Sequence, residues 1–262
     1  MPRPGLNRRW RLRPGLAGSD TFCPGCPPIS GAAIDLDPSN GGTVVESGAV
    51  SLLYDASGNG LNATQGTSGQ RPTFNATDAD FGGRSSLSYD ATNDRLVVSN
   101  YQPGGGGSLH TIYVVIKTNG TTGFKSIFGH NTGGGTGRLL VAQNGASLNL
   151  NFSNPGGSST GMAISIAANT VYRLAAACDF SDGADPYKEV YLNGVSQAIS
   201  YFATSAANTA SMDAANAGVG ADQGGTFGFF DGKLARITGY SAQHSTAQIE
   251  TTDAWMESWF TL

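Results

Sequence analysis

Residues 51–74, SLLYDASGNGLNATQGTSGQRPTF, and residues 82–99, GGRSSLSYDATNDRLVVS, decide how this chain folds. Each holds short apolar runs, Leu52-Leu53-Tyr54 in the first and Leu87, Tyr89 and Leu96-Val97-Val98 in the second. Asp, Asn, Gly and Ser cluster between the runs, and these residues turn the backbone because they tolerate or require positive φ. Short strands joined by tight turns follow from that pattern.

The same grammar continues downstream. Thr111–Lys117 (TIYVVIK) is apolar on both parities, which predicts a strand buried on both faces. Residues 126–129, 138–143 and 146–152 supply three more strands, the last alternating as SLNLNF and therefore half exposed. Val171–Cys178 and Lys188–Asn193 flank a loop with Asp179, Asp182 and Asp185, and the second run ends in Asn193-Gly194, a strong hairpin signal. Residues 217–220 and 228–237 (GFFDGKLARI) close the strand series. At the C-terminus Ser245 and Gln248 form a capping-box pattern, and Ile249, Thr252, Trp255, Met256, Trp259 and Phe260 share one face of a helix over about 245–260.

These motifs, in this order, resemble the laminin-G-like, concanavalin A-like lectin and glucanase jelly rolls over roughly residues 31–262. The matching pieces are the DASGNGLNAT loop, the LSYDATNDRLVV hairpin, the YLNG turn, the FFDGKLARI strand and the terminal helix. The resemblance implies an all-β, antiparallel jelly-roll β-sandwich with one C-terminal helix. It does not choose among sugar binding, protein binding, glycan cleavage and a structural role.

Residues 1–30 differ in kind. Arg3-Pro4-Gly5-Leu6 recurs as Arg13-Pro14-Gly15-Leu16, and five arginines precede the first acidic residue, Asp20. With Trp10 and Phe22 as its main large apolar residues, this segment buries too little to offset its ordering entropy. It is expected to be an extended arm held by partner molecules, with Arg3, Arg8, Arg9, Trp10, Arg11 and Arg13 as the contact residues. The net charge of −4 is the sum of this basic arm and an acidic remainder, so the sandwich itself has no electrostatic affinity for nucleic acid or anionic lipid. No apolar signal segment follows the basic start and no run is long enough to span a bilayer.

Several residue sets carry candidate chemistry. Asp55, Ser57 and Asn59 alternate around a Gly in DASGNG, which fits either an Asx-rich turn closing on its own backbone or a structural calcium loop. Asp179, Asp182 and Asp185, and likewise Asp90, Asn93 and Asp94, read as turns first. Asp231 reads as a turn residue that holds backbone amides. His110, His130 and His244 lack spaced partners and are expected at the surface or in turns. Cys23 and Cys26 have CxxC spacing without a second pair, so a structural role competes with a zinc site shared with another chain. Tyr101, Phe124, Tyr187, Phe202 and Phe227 lie in or beside loops, where an exposed ring would stack on a sugar.

Glu46, Glu189, Glu250 and Glu257 are scattered, whereas glucanases of this fold gather their carboxylates two and four residues apart on one strand. No enzymatic activity is therefore expected. Two roles remain. One is a bacteriophage virion component, such as a capsid decoration, fibre or tail appendage, assembled through residues 1–30 and displaying a jelly roll able to bind surface glycans. The other is a lectin-like module of a bacterial secreted or cell-surface protein.

Overall fold

The computed structural model describes residues 25–40, 42–130, 138–153, 159–182, 185–204, 212, 214–222, 224–225 and 228–262. In chain order the strands are β1 (Ala32–Leu36), β2 (Thr43–Glu46), β3 (Ala49–Leu53), β4 (Ala63–Thr64), β5 (Thr73–Asp78), β6 (Arg84–Asp90), β7 (Leu96–Tyr101), β8 (Leu109–Thr118) and β9 (Phe124–His130). They continue as β10 (Arg138–Asn144), β11 (Ser147–Ser153), β12 (Ser159–Ser165), β13 (Thr170–Asp179), β14 (Tyr187–Leu192), β15 (Val195–Ser196), β16 (Tyr201–Thr204), β17 (Ala215–Val219) and β18 (Asp231–Tyr240). Helix α1 spans Thr246–Phe260.

The pairings are antiparallel and build two sheets. One runs β15-β14-β13-β8-β18, after which β18 shares its far edge between β1 and β6, and β6 pairs with β5. The other runs β2-β3-β4-β7-β17-β9-β10-β11-β12-β16. A pairing of Ala49 with Thr73 joins the two at one edge. The chain is thus an all-β antiparallel sandwich with one C-terminal helix.

Side-chain alternation explains both layers of packing. Ile112, Val114 and Ile116 of β8 face the inter-sheet core with Leu174 of β13, Val141 of β10, and Leu148, Leu150 and Phe152 of β11. Tyr113 and Val115, on the opposite parity, face a second core with Ala175, Ala177, Ala235, Ile249, Met256 and Phe260. The doubly apolar TIYVVIK run therefore lies between the other sheet and the helix. Ser245 caps α1 in a reciprocal capping box with Gln248, as the sequence predicts.

The LSYDATNDRLVV stretch differs from the expected hairpin. Strand β6 joins the helix-covered sheet through β18, whereas β7 joins the other sheet through β17. Asp90 Oδ1 accepts from the amides of Thr92 (2.8 Å), Asn93 (3.1 Å) and Asp94 (3.3 Å), so the turn forms as read. It is a corner between sheets because long-range register pairs Leu87 with Leu234 and Val97 with Gly218. By contrast Asn193 and Gly194, at φ 50° and 77°, make the two-residue turn that pairs Leu192 with Val195.

Two buried ion-pair systems lock the helix side. Arg236, 1% exposed, reaches Asp35 through Nε (3.0 Å) and Nη2 (2.6 Å), and Asp37 and the Gly25 carbonyl through Nη1 (2.9 and 3.0 Å). Arg173 of β13 forms a two-point pair with Asp253 of α1 at 3.0 and 2.9 Å. The Arg84 guanidinium lies 3.5 Å over Trp259, and Trp259 stacks on Trp255.

Candidate functional site

Helix α1 covers the outer face of one sheet, which leaves the outer face of the other as the place to look for a binding surface. Along β11, Leu148, Leu150 and Phe152 point inward, so Ser147, Asn149, Asn151 and Ser153 point outward. Register carries the outward set across to Gly161, Ala163 and Ser165 of β12. On β10, the outward residues Leu140 and Ala142 are buried, so the open part runs over β11, β12 and β16, about 10 Å across at ordinary strand spacing.

Phe202 stands at the edge of this shelf and is 56% exposed. Its ring rests on Gly161, where any Cβ would collide with it, and the Asn151 amide lies beside the same point. Glycine at 161 is what lets the ring lie down on the sheet. The result is an apolar ring face beside an outward row of amides and hydroxyls, with no acidic residue at the described outward positions of β11, β12 and β16.

Of the aromatic residues singled out from sequence, only Phe202 is placed as an exposed platform. Tyr101 and Tyr187 are 1% exposed and belong to the core, Phe124 is half-buried, and Phe227 lies outside the described residues. The SLNLNF alternation did signal the amide row. Gly161 and the pairing of β16 with β12 had no comparable local signal.

Asp55, Ser57 and Asn59 are brought together, as a closed turn. Asp55 Oδ1 accepts from the amides of Asp35 (2.9 Å) and Ser57 (3.0 Å), and Oδ2 accepts from Ser57 Oγ (2.8 Å) and the Leu61 amide (3.0 Å). Asn59 Nδ2 donates to the carbonyls of Ala32 and Ala33. Donors face both carboxylate oxygens, so this set does not fit a calcium ion without breaking those bonds. The expected result of adding millimolar Ca²⁺ is an unchanged melting temperature; a clear rise would put the cation among these oxygens.

The other acidic turns are likewise occupied. Lys188 Nζ pairs with Asp182 at 2.7 Å and Tyr201 donates to Asp185 at 2.5 Å. Asp231 Oδ1 accepts from the side-chain amide of Asn119 (3.0 Å). Cys26 is disulfide-bonded, which removes it as a zinc thiolate, and Cys178 is a buried free thiol.

The histidines also require correction. His110 and His130 are fully buried and His244 is 3% exposed. Strand β8 begins at Leu109, two residues before the apolar run, and this puts His110 in step with core-facing Ile112. Tyr101, Phe128 and Phe180 surround that end of the core, and Phe180 stacks on the His110 ring. The arm residues Arg3, Arg8, Arg9, Trp10, Arg11 and Arg13 lie outside the described residues.

No protein-family model matches this sequence, and no curated protein matches it either. Solved structures share the fold. The botulinum neurotoxin serotype G binding domain is similar at a TM-score of 0.61 and 13% identity, over 87% of this chain and 51% of that one. The serotype D binding domain gives 0.59 and 11%, over 86% and 51%. The sialidase of Trypanosoma rangeli, in complex with the inhibitor DANA, gives 0.55 and 14%, over 86% and 33%. The chain thus spans about half the length of the toxin domains and a third of the sialidase chain, and at these identities the likeness is one of β-sandwich fold.

Proposed function

We propose that this chain is a non-catalytic, sugar-binding β-sandwich whose ligand lies on the open sheet against Phe202. The observation that carries the proposal is the exposed Phe202 ring laid on Gly161 beside Asn151. An apolar ring face next to side-chain amides matches a sugar, which presents C–H faces and hydroxyl edges together. The neighbours named as receptor-binding domains and as a sialidase complex accord with this reading.

The same proposal takes the chain as one that binds glycan without hydrolysing it, and the placement of the carboxylates supports this. Glu46 is engaged by Arg71, Glu189 by Thr246, and Glu250 and Glu257 sit on α1, away from the shelf. No pair of carboxylates faces another across the shelf among the described side chains.

The setting we propose is a bacteriophage virion, with the concanavalin A-like module displayed outward and held through the N-terminal segment. The polarity of the sandwich supports it. Gly25 lies against Trp259 and Arg236 on the helix side, while the shelf belongs to the other sheet. A partner that meets the chain at Gly25 would sit on the face away from the shelf. A bacterial secreted or cell-surface lectin is the alternative setting, and a density map of the native assembly separates the two.

Binding is tested on an array of surface glycans, followed by titration of the best ligand. Phe202→Ala is expected to weaken binding by about tenfold or more, with stability changed by less than about 0.5 kcal/mol because the ring is exposed. An unaffected affinity would move the site elsewhere.

A further inference from the structure

We propose that His244 is an acid-sensitive latch that holds helix α1 and the lead-in segment, residues 25–31, onto the sandwich. His244 immediately precedes the N-cap Ser245, so its ring sits at the positive end of α1, where a charged imidazole is unfavourable. Its Nδ1 shares a 2.8 Å hydrogen bond with the Tyr113 hydroxyl of β8, and its backbone amide donates to Thr111 Oγ1. The ring lies 4.2 Å from that of Tyr240 on β18. Tyr240 in turn donates through its hydroxyl to the Ile29 carbonyl, at the point where the lead-in meets the second core.

A proton on His244 therefore acts on both sides of one seam. It makes both ring nitrogens donors, so that Nδ1 can no longer accept a bond from the Tyr113 hydroxyl, and it adds a positive charge to the end of the helix that already carries one. Burial holds the His244 imidazole below its usual range, so the charged form is the disfavoured one. The groups packed round it are Tyr113 and Thr111 from β8 and Tyr240 from β18, with the Ser245–Gln248 capping box next along the chain. Glu189 of β14 also reaches the start of the helix, bonded to Thr246 Oγ1, and Asp253, one helical stretch further on, is bound by Arg173.

His110 lies on the other face of β8, one residue from Thr111, and burial pushes its imidazole down to about 4. The core histidine therefore resists protonation strongly. Asp37 is the competing group, because burial pushes its carboxyl up to about 6 and its partner Arg236 also holds the lead-in.

The test follows fluorescence of Trp255 and Trp259 in the full chain carrying Trp10→Phe, alongside far-UV circular dichroism, from pH 7.5 to 4. The expected result is a fluorescence change on acidification, below the usual imidazole range, with the strand signal intact. His244→Gln should move that change down by about one unit or remove it, and Tyr113→Phe, which takes away the bond made by neutral His244, should move it up. A change that stays in place in both variants, that disappears instead in Asp37→Asn, or that coincides with loss of the strands overturns the latch.

Discussion

Replacing Arg236 with alanine is expected to destabilise the protein by about 3 to 5 kcal/mol, measured by urea denaturation at pH 7. The guanidinium is 1% exposed and neutralises Asp35 and Asp37, which are 3% and 2% exposed. Removing it leaves two carboxylates buried without a cation, and it also removes the bond to the Gly25 carbonyl. Arg236→Lys should recover only part of the loss, since a single ammonium cannot reach acceptors on Asp35, Asp37 and Gly25 in one plane. The pH dependence has a definite sign. Burial raises Asp35 and Asp37 above the ordinary carboxylate range, Asp37 to about 6, so their contribution is most favourable when protonated and falls away as pH rises through that value. The alanine variant, lacking the counter-ion, should therefore lose less at pH 5 than at pH 7. An equal loss at both values would mean that packing, not uncompensated charge, sets the cost.

Arg236 also marks the limit of what the sequence makes legible. The ARI run in which it lies is plain as a strand, and the capping box, the Asn-Gly turn and the doubly apolar β8 all have local signatures that the fold obeys. Their information is short-range: alternation, a cap, a positive φ. What pairs Arg236 with Asp35 and Asp37 is the register of β18 on β1, a contact between residues about two hundred positions apart. The same limit explains the misread corner at Asp90, whose turn chemistry is local and whose sheet membership is not. It also explains His110, where a strand two residues longer than its apolar run put a polar ring into the core. For the shelf, alternation announced the outward Asn149 and Asn151. Phe202 became distinguishable from the buried Tyr101 and Tyr187 only once β16 was laid beside Gly161.

Asp253→Ala is expected to cost about 3 kcal/mol, with the loss concentrated at the helix. Asp253 lies on α1 between the apolar positions Ile249 and Met256, and its carboxylate is the two-point partner of Arg173, itself 5% exposed. Glu257, 3.6 Å from Nη2 and largely exposed, is too distant and too solvated to replace it. The variant thus leaves a buried guanidinium beneath a helix still held by Ile249, Met256 and Phe260, whose side chains contribute roughly 1.5 to 3 kcal/mol each. Hydrogen exchange should show α1 opening at a lower free energy while β9 to β12 keep their protection. Because α1 packs on the sheet opposite the shelf, Asp253→Ala should retain sugar affinity wherever it remains folded, and Phe202→Ala should do the reverse. Loss of affinity in the helix variant under those conditions would place the binding surface on the helix side, and the assignment of the two faces would have to be exchanged.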